Sequence, residues 1–194
     1  MRVITGKARG TQLFSLEGES TRPTSDRAKE GIFNILRDGL NGSNVLDLFG
    51  GSGQMAIEAL SRGANSAVIC DISRDACRII RKNAEKTGFS DKITLLECDW
   101  KTALKKCSGR KFDIVFLDPP YAGDLLKMSL FRVFDGDLVA DGGFVVCESD
   151  REEPFLNSNA VVMRFARYGR AKITILKKKD RTDAENESDC NREL

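Results

Sequence analysis

Asp118-Pro119-Pro120-Tyr121 stands directly after Phe112-Asp113-Ile114-Val115-Phe116-Leu117, an apolar run with the length and composition of a buried strand. These residues gather a carboxylate, a main-chain carbonyl that faces no competing N–H, and a flat aromatic ring at one strand end. An amine on a planar base is a poor nucleophile because its lone pair is delocalised into the ring. Hydrogen bonds accepted from both of its N–H groups, by the Asp118 carboxylate and the Pro119 carbonyl, favour a pyramidal nitrogen that can attack. Tyr121 is placed to stack on the target ring once that ring is flipped out of its helix. The expected chemistry is alkylation of an NH2 group, with Asp118, Pro119, Pro120 and Tyr121 as the catalytic set. A rigid Pro-Pro turn with a core-packed tyrosine is the structural alternative.

A donor site is expected earlier in the chain. Asp47-Leu48-Phe49-Gly50-Gly51-Ser52-Gly53 joins an apolar run, Val45 to Phe49, to a helix-like segment over 54–62. Glycines there let the backbone turn tightly and approach a ligand closely. Gln54 and Ala56 break the Gly-x-Gly-x-x-Gly spacing of a dinucleotide site. An acid ahead of the glycines repels a pyrophosphate and suits a cationic amino group, so an amino acid joined to a nucleoside fits better. Asp71, at the end of the next apolar run, suits both hydroxyls of a ribose. Asp99 follows a third such run and can accept from an adenine amine, with Trp100 beside it. Taken singly, each of these acids is as well explained as a cap or turn residue.

These side chains need a scaffold that brings strand ends together. Strand-like runs at 67–70, 93–96, 112–117 and 143–147 alternate with helical segments at 74–87, 100–107 and 124–134. Strands that are continuously apolar belong to a parallel sheet covered on both faces. After Pro154 the pattern changes to two runs, Val161 to Tyr168 and Ala171 to Leu176, split by Gly169-Arg170 as in an antiparallel hairpin. The expected fold is α/β: a doubly wound, mostly parallel, seven-stranded Rossmann-like sheet closed by that hairpin, the usual outline of a class I S-adenosylmethionine (SAM) methyltransferase. A small β-hairpin over 3–16 and a helix over 25–37, with Thr24, Ser25 and Asp26 as N-cap candidates, form an amino-terminal extension. One domain over 1–181 is expected, with 1–42 as an RNA-binding extension and 43–181 as the catalytic core. The acidic segment 182–194 is expected to be disordered.

At 194 residues, with 41% hydrophobic and 31% charged residues, the chain falls in the range of soluble globular proteins. No signal peptide or membrane-length apolar run is present, so a cytoplasmic protein is expected. The six cysteines lack Cys-x-x-Cys spacing and there is no histidine, which disfavours zinc and removes the commonest general base. Most of the cysteines sit in apolar stretches and are expected to be reduced and buried. Net charge is only +2, but residues 164–181 carry eight basic side chains against Asp180 alone, and residues 1–37 carry seven against four acids. Basic ends around a mildly acidic middle suit a polyanion, although solvated strand faces would look the same.

Val45-Leu46-Asp47-Leu48-Phe49-Gly50-Gly51-Ser52-Gly53 with Asp118-Pro119-Pro120-Tyr121 resembles the amino-methyltransferases of nucleic acids. Arg2-Val3-Ile4-Thr5-Gly6-Lys7-Ala8-Arg9-Gly10, Arg22-Pro23-Thr24-Ser25-Asp26-Arg27 and Phe33-Asn34 are similar to the bacterial 16S rRNA guanine-N2 methyltransferases of the small-subunit "D" type. The resemblance spans roughly 1–180. It implies methylation of one guanine N2 in 16S rRNA, within the small ribosomal subunit or an assembly intermediate, by a monomer. SAM would be held by Asp47, Phe49, Gly51, Ser52, Gly53, Asp71, Ile72, Asp99 and Trp100, and rRNA by Lys7, Arg9, Arg22, Thr24 and Arg27. Gly50 stands where alanine is commoner, a change expected to be harmless, and Tyr121 where phenylalanine is frequent. A DNA adenine-N6 enzyme shares the Asp-Pro-Pro-Tyr turn but needs a recognition insertion for which this chain has no room. A protein glutamine methyltransferase would prefer Asn at 118. A non-catalytic rRNA-binding module would show a broken loop or acceptor, and both are intact.

Overall fold

The continuously apolar runs form strands with both faces covered. In the computed structural model, which describes residues 1–16, 26–120, 124–150, 159–169 and 171–179, seven strands make one sheet in the order β3-β2-β1-β4-β5-β7-β6. β1 (Asn44–Asp47), β2 (Ser66–Asp71), β3 (Ile93–Glu97), β4 (Phe112–Leu117) and β5 (Val139–Ser149) run parallel. β6 (Ala160–Tyr168) and β7 (Ala171–Lys178) form the antiparallel hairpin, with β7 inserted beside β5. β6 therefore runs in the same direction as β5, and its Tyr168 end lies at the rim where the parallel strands finish.

Helices cover both faces: α1 (Asp26–Ile35), a single turn α2 (Arg37–Leu40), α3 (Gln54–Ser61), α4 (Arg74–Thr87), α5 (Trp100–Lys106) and α6 (Leu125–Asp135). Alternation along each strand splits the core in two. One cluster joins Ile32 and Phe33 of α1 and Ile57 and Leu60 of α3 to Ile114, Phe116, Val146 and Ile173. The other joins Ala103 of α5 and Leu130 and Val133 of α6 to Leu46, Val115, Leu117 and Val145. Cys70, Cys77, Cys107 and Cys147 are buried free thiols, and Cys98 is half-buried. Among the described residues no helix is long and apolar enough to cross a membrane.

Most element ends shift by one or two residues from the sequence expectation, and three elements differ further. The helix expected over 25–37 breaks after Ile35, where fully buried Leu36 turns into the core before α2. β5 starts at Val139 rather than Gly143 because the Gly142-Gly143 segment is absorbed as a bulge, the register against β4 shifting between Phe112 and Ile114. The amino-terminal hairpin has a single bridge, Arg2 to Gln12, rather than two strands. The tail 182–194 lies outside the described residues.

That hairpin is docked instead by α3. The carboxylate of Glu58, only 1% exposed, accepts the N–H groups of Ile4 (2.7 Å) and Thr5 (3.1 Å) and pairs with Arg62 (2.7 Å). Ser61 accepts the Ala8 N–H through Oγ (2.9 Å) and the Lys7 N–H through its carbonyl (2.8 Å). Buried Lys29 closes the other side by donating to the Arg2 carbonyl (2.6 Å), and desolvation lowers its pKa. Asn83, fully buried on α4, donates to the carbonyls of Phe14 (3.0 Å) and Ser52 (2.9 Å) and accepts the Phe14 N–H (2.8 Å). Removing the Glu58 carboxylate strands two backbone donors and a guanidinium. Glu58→Ala is expected to lower stability by about 3 kcal/mol. Glu30→Ala, on the exposed side of α1, should shift it by less than about 0.5 kcal/mol. Urea midpoints of the two variants check this.

Candidate active site at the carboxyl ends of the strands

Side chains at i and i+2 share a face, so the strand-end acids follow from register alone. Asp47 pairs in register with Ile69 on β2 and Phe116 on β4. Asp71 and Asp118 lie two residues beyond those partners and project to the same face, the one covered by α1, α3 and α4. Asp47 is thus one pleat deeper and is buried, whereas Asp118 is accessible at the rim. The Asp47 carboxyl is pushed up to about 7, chiefly by desolvation and further by the Asp71 charge; backbone N–H groups of Ala56 and Phe49 oppose the shift.

The 47–53 turn is a backbone cradle. Gly50 N–H bonds to the Cys70 carbonyl (2.8 Å) and Gly53 N–H to the Gly50 carbonyl (2.7 Å). Asp71 fastens the turn to β2, its Oδ2 accepting the Gly51 N–H and its Oδ1 the Ser73 N–H, both at 2.8 Å. Gly51 and Gly53 have φ of 54° and 76°, which a side chain strains to adopt. A Cβ on Gly50 would sit 2.3 Å from Ile69 Cγ2. Glycine in place of the commoner alanine therefore suits this chain, because Ile69 occupies the space an alanine methyl would need.

Several features here fit SAM. Ile72, next to Asp71, is 73% exposed at the end of β2, a flat apolar surface beside a carboxylate. Gly51 faces open space, so a ligand can approach its backbone. Gln54 Oε1, at the first residue of α3, is buried and has no hydrogen-bond partner among the described residues, leaving an acceptor for an ammonium donor. Phe49 and Trp100 are half-buried and pack on the α5 side, and Ser52 Oγ contacts Met1 Sδ at 3.3 Å. Asp99 is chiefly the N-cap of α5: its Oδ1 accepts the Lys101 and Thr102 N–H groups (3.0 and 3.1 Å), and its Oδ2 accepts the Thr102 hydroxyl (2.6 Å). These bonds lower its pKa, the Thr102 hydroxyl foremost.

Asp118 follows β4 directly, with Pro119 buried and Pro120 exposed; Tyr121 lies outside the described residues. Although Asp118 as a whole residue is accessible, desolvation of its carboxyl group, then the charges of Glu148 and Asp47, hold that group well above the usual carboxylate range. Sequence reasoning missed Glu148 and treated Gln54 only as a broken fingerprint. The available signals were an acid at the end of the fifth strand, matching those ending the others, and a polar residue where an α3 start needs none.

The basic residues divide. Lys7 and Arg9 are exposed on the hairpin turn, which bonds to Ser61, the last residue of α3 and about 10 Å along the axis from Gln54. They lie away from the crevice. Arg27 lines a cleft of about 440 Å³ between α1 and β6, together with Glu30, Asn34, Arg164 and Tyr168, at the rim where the active-site strands end. Arg22 and Thr24 lie outside the described residues.

A parallel sheet in this order, a glycine turn after β1 and an Asp-Pro-Pro turn after β4 define a methyltransferase with the SAM-dependent α/β fold. The chain belongs to the family described as Conserved hypothetical protein 95, whose model matches residues 1–177. It is 36% identical over 183 residues to Bacillus subtilis YlbH, covering 92% of this chain and 100% of that one. It is 30% identical over 158 residues to the Haemophilus influenzae protein named Ribosomal RNA small subunit methyltransferase D, covering 80% and 82%. The solved structure of Escherichia coli yhhF superposes with a TM-score of 0.84 at 29% identity, over 93% of this chain and 99% of that one.

The raised Asp47 carboxyl has a consequence for stability. Its folded pKa exceeds its unfolded value near 4, so the native state holds a proton that the unfolded chain has released. This contribution is complete below about pH 4 and is lost as pH rises through about 7. Asp118 acts in the same direction. The urea midpoint of the ligand-free protein should fall between pH 5 and 8, and Asp47→Asn should remove part of that fall. A fall of equal size in the variant would exclude Asp47 as a source.

Proposed function

We propose that this protein transfers a methyl group from SAM to the exocyclic N2 amine of a guanine in 16S rRNA, within the small ribosomal subunit or an assembly intermediate. The observation that carries the reading is the juxtaposition of the glycine turn after β1 with Asp118-Pro119 after β4, on adjacent strands. Relatives named for small-subunit rRNA and the basic amino-terminal motif support rRNA as the acceptor.

The bound cofactor supplies a methyl group already activated on a sulfonium. The protein's part is to hold both reactants in line and keep water out, which accounts for much of the remaining acceleration. The Asp71 carboxylate, the exposed Ile72 surface and the 51–53 backbone would hold the nucleoside and amino-acid portions, and Asp47 and Gln54 Oε1 would supply acceptors for the ammonium. Asp99 and Trp100 close the adenine end. Asp118 and the Pro119 carbonyl accept the two N–H groups of the target amine, directing its lone pair at the methyl carbon, and Tyr121 stacks on the ring. Methyl transfer would leave the amine nitrogen with a surplus proton. Asp118, with a proton affinity above that of an ordinary carboxylate, receives it and passes it to water.

Asp118→Ala should reduce transfer by more than about a thousandfold while leaving SAM affinity within about twofold. Mass spectrometry of digested 16S rRNA from a strain lacking the protein, before and after incubation with protein and SAM, reads the product. Failure to restore an N2-methylguanine would refute the assignment. Since the ionised Asp118 is the competent form, kcat should rise with pH along a limb lying above the ordinary carboxylate range.

For RNA binding, charge reversal at Arg27 and Arg164 should weaken affinity and flatten its dependence on log salt by about 1–2 units, about 1 for each phosphate no longer neutralised. Reversal at Arg9 should do less, because its turn lies at the far end of α3. Binding titrations at several salt concentrations distinguish the two.

A further inference from the structure

Glu148 is a buried acid at the end of β5, and nothing in the methyl-transfer chemistry above employs it. Only 7% of it is exposed. Leu117 pairs in register with Cys147, so the next residues along, Asp118 and Glu148, are neighbours across two parallel strands that run about 4.8 Å apart. Leu117 and Cys147 both point into the α5–α6 cluster, whereas Phe116 and Val146 point to the α1–α3 side. Alternation therefore carries Asp118 and Glu148 to the same α1–α3 face. On its other side Glu148 pairs with Ile173 of β7, and Ile173 pairs with Ala166 of β6. Consistent with that register, the Glu148 charge adds to the upward shift of the Asp118 carboxyl.

A second carboxylate beside the amine-holding one is costly, since two like charges in a poorly hydrated crevice repel. Two carboxylates side by side suit a ligand edge with more hydrogen-bond donors than one carboxylate and one carbonyl can take. The two purines differ on this point. Beside its N2 amine guanine carries N1–H, a donor, whereas the ring nitrogen beside the amine of adenine is an acceptor. We propose that Glu148 is the residue that selects guanine, its carboxylate accepting the N1–H of the flipped base while Asp118 and the Pro119 carbonyl hold the N2 amine. This rests on the guanine-N2 function proposed above and adds a determinant for the choice of base, on which the Asp-Pro-Pro turn is silent. An adenine presented in the same pose would set its N1 lone pair against a carboxylate, leaving a buried acceptor without a donor. Sites built to pair with a polar group reject analogues that lack it strongly.

The test uses 16S rRNA from the strain lacking the protein, rebuilt by ligation with either guanine or 2-aminopurine at the methylated position. 2-Aminopurine keeps the N2 amine but has no N1–H. Wild-type protein should methylate the guanine RNA about 100-fold faster in kcat/KM than the 2-aminopurine RNA. Glu148→Gln should lose about 10- to 100-fold on guanine and shrink the ratio between the two RNAs below about tenfold, because its amide can turn a donor toward N1. Its SAM affinity and thermal midpoint should stay close to wild type. Equal rates of wild-type protein on both RNAs would overturn the proposal without any variant being needed. So would a Glu148→Gln protein that keeps the wild-type ratio, or one that loses SAM binding in proportion to activity. Wild-type protein that leaves every guanine N2 unmodified would overturn the proposed function, and this proposal with it.

Discussion

A parallel sheet whose strand order reverses at β1 must send the chain leaving β1 and the chain leaving β4 to opposite faces. Here α3 packs on one face and α6 on the other, so the turns that end β1 and β4 diverge and leave a crevice between adjacent strands. The chemistry depends on that reversal. It brings Asp47-Gly53 and Asp118-Pro120, far apart in the chain, to one opening, with the proposed cofactor-binding features on the β2 side and the proposed amine-holding turn on the β4 side. The antiparallel β5-β7-β6 end extends the same rim, which carries Glu148 and the Arg27–Arg164 cleft into line with the crevice.

The reversal concentrates negative charge. Asp71, Asp47, Asp118 and Glu148 end four adjacent strands and project to one face, an arrangement a hydrophobic core would not choose. The protein accommodates it by depth and by pairing. Asp71 is satisfied by two backbone N–H groups of the loops it joins, and Asp47 is held close to neutrality by burial. Asp118 also sits well above the ordinary carboxylate range. Charge that is held back in the free protein becomes favourable opposite an ammonium and a set of N–H donors, so the site is matched to cationic and donor-rich ligands rather than to phosphate.

The amino-terminal hairpin belongs to this arrangement as much as the strands do. With one bridge of its own, it takes its order from Glu58, Ser61, Lys29 and Asn83, polar side chains buried on the helices it packs against. Asn83 joins the hairpin and the cofactor loop through a single amide, bonding Phe14 and Ser52 together. A cation–π contact of Arg62 over Phe33, 4.7 Å from the ring centroid, ties α3 to α1. The consequence is directional: Met1 lies by the loop, while the Lys7–Arg9 turn is at the opposite end of α3.

Element identity was legible in the sequence because it depends on local periodicity. The runs 112–117 and 74–87 appear with those bounds, since a continuous apolar run and an amphipathic segment capped by Ser73 and closed by Gly88 leave the backbone few alternatives. The acceptor turn and the glycine loop were legible because proline, glycine and strand-end acids have narrow uses. The rest was decided by neighbours distant in the chain. Ile69 crowds any side chain at position 50; α3 sends Lys7 and Arg9 away from the crevice; the bulge at Gly142-Gly143 lengthens β5; and its register against β4 sets Glu148 beside Asp118. Sequence alone determines which residues can do chemistry. Which of them meet is a property of the sheet, because register and strand order are set by burial between segments that carry no record of one another.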